Sequence, residues 1–397
     1  MTTQTAPEWT SPPADEDELT AWFDAMCAHT PVRRDPDRGG WHIFGYQESV
    51  HALSNHGAFS NNLAVALPEE SPLQLYRVGN LSWMDPPRHQ QLRGLVHKAF
   101  TPKYVAGLEP MVTATVEKFL GEVRQKDTFA YMEEFTSPIV STTIAQMVGI
   151  PTEDHVLFRN WSKALMSLTD PAQTKNGVKE VVENTRVIRD YLHAHVRSRR
   201  KNPTDDLTSR LVQSELDGER LEDAEIAGLI SLNLTAGQTA TQTLANSVIC
   251  FDQHPDEFAR LRANPDLLES AVEEVMRFRA QTTRVARKTV KPVTVGGQEI
   301  PAGEGVSVWL AAANRDPRKF PNPEIFDIAR SPNQHIGLGH GAHFCLGTPL
   351  ARMEINIALR RFLEEARTIT IDYGTSRLLD PRLVFGANEL TLRVDWR

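Results

Sequence analysis

His335-Ile-Gly-Leu-Gly-His-Gly-Ala-His-Phe-Cys345-Leu-Gly347 is the stretch that decides how this 397-residue chain is read. Gly337, Gly339, Gly341 and Gly347 lie within eleven residues, and an apolar-periodic helix, Pro349 to Glu365, comes directly after them. Glycine permits backbone shapes closed to other residues and lets a flat ligand approach the main chain. Cys345 stands just before the helix start, where the helix dipole and free N–H groups favour an anionic sulfur. A thiolate in a glycine cradle is what a haem iron takes as an axial ligand. Other readings stay open on this stretch alone. The cysteine can be simply buried. The glycines can cradle a nucleotide, although no Lys-Ser/Thr comes after them. His340, His343 and Cys345 can supply three of the four ligands of a zinc site.

Outward from the loop, the rest of the chain is ordinary in composition. It is 40% apolar and 24% charged, enough to build a deep core and incompatible with a wholly disordered chain. Lys and Arg number 43 against 51 Asp and Glu, a formal charge of −8 with no basic run, which argues against nucleic-acid binding. Three cysteines, Cys27, Cys250 and Cys345, make no disulfide framework. No apolar stretch approaches the roughly 20 residues that span a bilayer. Met1 to Asp17 is polar and proline-bearing, without a signal layout. A cytoplasmic protein, with no membrane partner, is expected.

Helical periodicity runs through Val105–Gly121, Ser137–Gly149, Asn176–Val196, Asp223–Phe251 and Asp266–Arg279. Trp41 to Tyr46 reads as a strand, residues 292–301 as a hairpin turning at Gly296-Gly297, Val306 to Ala311 as a strand, and the tail from Thr368 as strands. The expectation is a mainly α protein with small β-sheets (α+β): a loose arm over residues 1–20 and one domain over 21–397.

Several ordered motifs then resemble those of the bacterial soluble cytochrome P450 family. The cysteine loop resembles Phe-Gly-x-Gly-x-His-x-Cys-x-Gly, with Leu338 in place of phenylalanine. Glu274-Val-Met-Arg277 resembles Glu-x-x-Arg. Ala312-Ala-Asn-Arg-Asp-Pro317, Phe320-Pro-x-Pro-x-x-Phe-Asp-x-x-Arg330 and Met84-Asp-Pro-Pro-x-His89-x-x-x-Arg93 resemble further family segments. The resemblance implies a triangular-prism fold around a buried haem b, with Cys345 as the metal ligand. Leu338, Gly339 and Gly347 would shape the proximal loop. His89, Arg93, Arg284 and His343 would hold the two propionates, a match of cations to carboxylates. Glu274, Arg277 and Arg330 are structural.

The centre of the long helix, Leu234-Thr-Ala236-Gly237-Gln238-Thr239-Ala240-Thr241, resembles Ala-Gly-x-(Asp/Glu)-Thr. Ala236 and Gly237 match and imply room for dioxygen. The acid position is Thr239 and the alcohol position Ala240, so the pair that relays protons is missing. Thr241 cannot simply stand in, since one residue along a helix is a turn of about 100°. Gln238 or Thr239 holding water, or a group on the substrate, is expected to act instead. The segment between Arg277 and Arg284 is shorter than in the family and carries polar Gln281 and Thr282. By the same resemblance Leu232, Thr235, Ala236, Ala240 and Phe385 face substrate, and the Asn61–Trp83 stretch, with Leu63, Val65 and Leu67, forms a lid.

The resemblance further implies a monooxygenase-type oxidoreductase using dioxygen and a ferredoxin- or flavodoxin-type electron donor with its reductase. Arg88, Lys98, Arg352, Arg360 and Arg361 are the expected docking cations. The missing pair favours oxidative coupling or hydroxylation of an aromatic secondary metabolite, an indole or phenol such as a cyclic dipeptide. Hydroxylation or epoxidation of an aliphatic polyketide or terpene is the alternative, and a haem-binding module without activity is a third reading.

Overall fold

A computed structural model describes residues 9–63, 78–167, 174–216 and 218–397. They fall into two compact units. Val65 and Leu67 of the expected lid lie outside the described residues.

The first unit comprises residues 1–63, 246–345 and 378–386. Its sheet has five strands in the order Val32–Arg34, Trp41–Ile43, Gly305–Val308, Val285–Thr289, Phe59–Ser60. Trp41–Ile43 and Gly305–Val308 run parallel, pairing Val306 with Trp41 and Val308 with Ile43. One sheet face buries Val32, Trp41, Ile43, Val306 and Val308 against Leu53 and Ile336. The expected hairpin is present as Val293–Val295 and Gln298–Ile300, with Gly296 and Gly297 both at positive φ, as a tight hairpin turn requires.

Two expectations are corrected in this unit. Residues 9–20 do not form a loose arm: Asp15 caps a helix, Glu16–His29, whose Leu19 is buried, and Trp9 packs against Trp22 and His42. The Trp41–Tyr46 strand stops at Ile43, because Gly45 caps a helix that begins at Tyr46. A side chain at 45 would require the ends of the Glu48 and Arg318 side chains to move aside.

The second unit holds residues 64–245, 346–377 and 387–397. Its helices include Arg88–Ala99, Glu109–Val123, Ser137–Met147, Thr174–Lys201, Asp223–Ala236 and Thr348–Glu365. A three-stranded sheet orders Ala366–Ile371, Thr391–Trp396 and Thr128–Ala130. Tyr131, Phe135 and Phe362 pack with ring centroids 5.3–5.5 Å apart at its edge. The chain passes from one unit to the other within the Gln238–Gln253 helix and again directly after Cys345.

Candidate functional site

In the first unit the cysteine loop is a closed turn rather than a flexible glycine tract. The Cys345 N–H donates to the Leu338 carbonyl at 2.9 Å, and the Gly339 N–H to Ile336 at 2.9 Å. Gly339 and Gly341 sit at φ +78° and +68°, which disfavours a side chain at either. Gly337 and Gly341 are also required for space, since a Cβ would lie 2.6 Å from the Met276 carbonyl oxygen and 2.7 Å from that of Leu53. The loop is tied down from outside as well. The Ile336 N–H donates to Asn314 Oδ1 at 2.8 Å, and His335 Nε2 meets Glu273 at 3.2 Å. Leu338 and His343 are partly exposed, as is Cys345. Cys27 and Cys250 are buried, and burial pushes both thiols up, that of Cys250 to about 12. A metal can therefore reach Cys345 and not the other two.

The loop stands on a fully buried ion-pair network. Glu274 and Arg277, each 0% exposed, form two parallel hydrogen bonds at 2.8 Å. Glu274 also accepts from Arg330, Asn333 and the Asp327 N–H, while Arg277 donates to the carbonyls of Asn314, Pro323 and Ile325. One residue, Asn314, thus joins the pair to the loop.

Arg284 is half-buried just before the Val285–Thr289 strand, over the Trp309 ring at 5.2 Å and 3.4 Å from the Ser307 hydroxyl, both neutral partners. Burial and then Arg382 depress its pKa, and Asp380 offsets this only in part. Such a cation suits an added carboxylate. Gln281 is buried, and its Oε1 has no partner among the described residues; Thr282 is half-buried. Phe385 is 4% exposed. It packs with Phe23, Trp309 and Ala280 and carries Arg279 over its ring.

The long expected helix is two, Asp223–Ala236 in the second unit and Gln238–Gln253, which starts there, broken at Gly237. The Thr239 hydroxyl donates to the Ala236 carbonyl at 2.8 Å, and the Ala240 N–H reaches only to Gly237. Back-bonding of this kind bends helices. Leu232, Thr235, Ala236 and Thr239 are on the open face, at helical spacing. Gln238 and Ala240 are turned into packed protein, at 8% and 4% exposure. The open face therefore offers neither a carboxyl nor a loose hydroxyl: the Thr235 and Thr239 hydroxyls are both bonded to their own helix. His89 is buried on the Arg88–Ala99 helix and Arg93, one turn on, is half-buried.

Two amides escaped the sequence reading. Gln242 makes a pair of hydrogen bonds with the backbone of Ala387, at 3.1 and 2.9 Å. Asn246 bonds the carbonyls of Phe385 and Arg279. They fix the backbone at Phe385 and Ala387, and nothing in a Gln or Asn with no motif around it announces that.

These residues fit a flat iron-bearing macrocycle. Within the first unit Cys345 is a partly exposed sulfur in a cradle that glycines keep clear, and Arg284 and His343 are a cation and a donor suited to carboxylates. Among the described residues no cluster of three or more His, Cys, Asp or Glu could hold a metal ion by itself, so the zinc alternative has no support. No described helix is long and apolar enough to cross a membrane.

The cytochrome P450 family model matches residues 42–390. Cyclomarin C epoxidase of Salinispora arenicola is 36% identical over 372 residues, covering 92% of this chain and 94% of its own. Erythromycin C-12 hydroxylase of Saccharopolyspora erythraea is 33% identical over 386 residues, covering 95% and 94%. The crystal structure of a post-tailoring hydroxylase involved in himastatin biosynthesis has a TM-score of 0.81 at 36% identity, covering 92% of this chain and 94% of that one.

Proposed function

The chain belongs to the cytochrome P450 family, and from that premise we propose that it carries out an oxidative tailoring step on an aromatic, N–H-bearing secondary metabolite such as an indole-containing cyclic dipeptide. It is a monooxygenase-type oxidoreductase with the family's mainly α fold, not an inactive haem carrier. Haem, taken here as haem b, supplies the one-electron and dioxygen chemistry when bound. Cys345 is proposed as its axial ligand, with Arg284, His343, His89 and Arg93 toward the propionates.

The observation that carries the substrate reading is the open helix face. Leu232, Thr235, Ala236 and Thr239 form an apolar and small-residue surface whose hydroxyls are already bonded to the helix. Such a face binds a ring but offers it no acid. Gln281 adds support, because a buried amide oxygen without a donor is costly unless a ligand N–H fills it. Coupling of two rings balances simply. Two ring C–H or N–H bonds break and one inter-ring bond forms. The two hydrogens released, with two protons from solvent, two electrons from the donor and one dioxygen, leave as two waters.

The electron donor is proposed to be a ferredoxin- or flavodoxin-type protein with its reductase, acting in the cytoplasm. Of the expected docking cations, Arg88 pairs with Glu225 and Arg361 with Glu117 and Glu364. Lys98, Arg352 and Arg360 carry that part of the proposal. Similarity to erythromycin C-12 hydroxylase favours a second reading, hydroxylation of an aliphatic substrate.

Spectral titration of the ferric protein separates the two. Aromatic cyclic dipeptides are expected to give a saturable low- to high-spin shift, and turnover under labelled dioxygen a coupled product without label. A shift only with macrolide, terpene or fatty-acid ligands overturns the aromatic reading in favour of the second.

A further inference from the structure

The helix Glu16–His29 meets the Arg279–Arg284 segment of the first unit in two ways. Leu19, Trp22 and Phe23 share one core cluster with Ala280 and Phe385. Glu16 pairs with Arg279, which is 3% exposed: Nη2 donates to Oε2 at 2.9 Å, and Nη1 to Oε1. The remaining N–H of that guanidinium, on Nε, donates to Asn246 Oδ1 at 3.2 Å. This bond fixes which way the Asn246 amide faces, and its Nδ2 then donates to the Arg279 carbonyl at 3.1 Å and the Phe385 carbonyl at 3.0 Å. The far end of the segment is tied to the same late stretch, since the Thr283 hydroxyl donates to the Pro381 carbonyl at 2.8 Å. Between the two anchors stands Gln281, 5% exposed, whose Oε1 has no partner among the described residues. An acceptor held rigid in this state is preorganised for a donor, whereas one on a loose segment would turn to find water.

The charge on Arg279 makes the arrangement depend on Glu16. A buried guanidinium without its carboxylate is costly, and a long side chain left so turns toward water. Its departure would release Asn246 Oδ1, and with it both carbonyls. The same helix carries a second pair for comparison: Arg315 donates to Asp24 through two bonds of 2.9 Å. No hydrogen bond among the described residues joins that pair to residues 279–284.

We propose that Glu16 is a specificity-setting positioning residue: through Arg279 and Asn246 it holds Gln281 so that the amide oxygen meets an N–H of the substrate. This rests on Gln281 as the substrate's acceptor, as proposed above, and adds that selectivity for an N–H is set from the N-terminal helix.

Two measurements on the holoenzyme separate the clamp from the substrate class. Without ligand, Glu16→Gln is expected to speed hydrogen exchange at the backbone amides of residues 280–284 and 382–387. Asp24→Asn, which loses an ion pair of the same kind, leaves both stretches as in wild type. Unchanged exchange in Glu16→Gln, or equal acceleration in Asp24→Asn, overturns the clamp whatever the substrate is. The second measurement is the ferric spin-shift titration with an indole-containing cyclic dipeptide and its N-methylated analogue. Wild type is expected to prefer the N–H form about tenfold, the size of one hydrogen bond. Gln281→Leu and Glu16→Gln each lose the preference, and Asp24→Asn keeps it. Adding Glu16→Gln to Gln281→Leu lowers affinity for the N–H form no further. A preference absent from wild type, one that survives Glu16→Gln, or losses that add in the double variant overturn the proposal. Uptake of neither dipeptide by wild type marks failure of the substrate class instead, and the exchange result then decides the clamp alone. If Glu16→Gln fails to fold, Arg279→Lys carries both measurements, since it keeps the charge but not the fork that reaches Glu16 and Asn246 together.

Discussion

Cys345 differs from Cys27 and Cys250 in what surrounds the sulfur. Cys27 donates to the carbonyls of Phe44 and Ala312, and both buried thiols are held protonated by their surroundings. Cys345 is partly exposed in a loop closed by its own N–H. Replacing it with alanine or histidine leaves the backbone turn in place and removes the sulfur. Cys345→Ala or Cys345→His is therefore expected to abolish the red-shifted Soret band of the reduced carbon monoxide complex while far-ultraviolet circular dichroism stays unchanged. Survival of the band would mean that another residue ligates iron. This residue was legible because a loop of four glycines and one cysteine constrains its chemistry tightly. Thr239 was not. Its identity announced a missing acid, but that its hydroxyl folds back on Ala236 depends on a local bend at Gly237. Phe385 was illegible in another way: its identity does not tell that it packs into the cluster of Trp309 and Phe23.

Among the elements, the helix Leu268–Phe278 is the one on which the cysteine loop depends. Its Glu274 accepts from two arginines, one asparagine and one backbone N–H, with no solvent to replace any of them. Removing one partner of a buried pair leaves the other charge uncompensated, a loss of about 3–5 kcal/mol. Glu274→Gln is expected to lower unfolding stability by that amount and to reduce haem retention, because Arg277 anchors Asn314 and Asn314 anchors Ile336. Equal denaturation midpoints for variant and wild type would refute this. The Glu-x-x-Arg spacing exposed the pair in the sequence, but its burial came only from the segments that fold over it, residues 314–333. Helices as a class were legible by their apolar period. The break at Gly237 was not, because the period continues through it; the packing of Ile144 against a missing side chain is a tertiary fact. The helix that replaces the expected N-terminal arm hid for a related reason. Its charged first turn reads as solvent-loving, yet Glu16 is spent on Arg279 and Asp15 on the cap.

Across the whole molecule, two buried ionisable groups act on stability with opposite sign. His42 is 8% exposed; burial lowers its pKa from 6.5 to about 4, with Asp35 pulling it up and Arg284 pushing it down. The Trp309 indole N–H donates to His42 Nδ1 at 2.9 Å, so the neutral ring is the form that fits. A base whose folded pKa is depressed gives stability that is complete above pH 6.5 and is lost as pH falls toward about 4. Glu354 is an acid raised from 4.5 to about 7, so its stability is complete below pH 4.5 and is lost as pH rises toward about 7. Each shift corresponds to about 3 kcal/mol. The two residues share no partner, so their effects add, and between pH 4.5 and 6.5 the slopes cancel. Wild type is therefore expected to show a nearly flat contribution from this pair, and each substitution to unmask the other group. Urea midpoints of Glu354→Gln should climb as pH rises from about 4 to about 6.5, whereas those of His42→Gln should fall as pH rises from about 4.5 to about 7. Parallel pH profiles for wild type and both variants would show that neither group titrates in the folded protein as its burial requires.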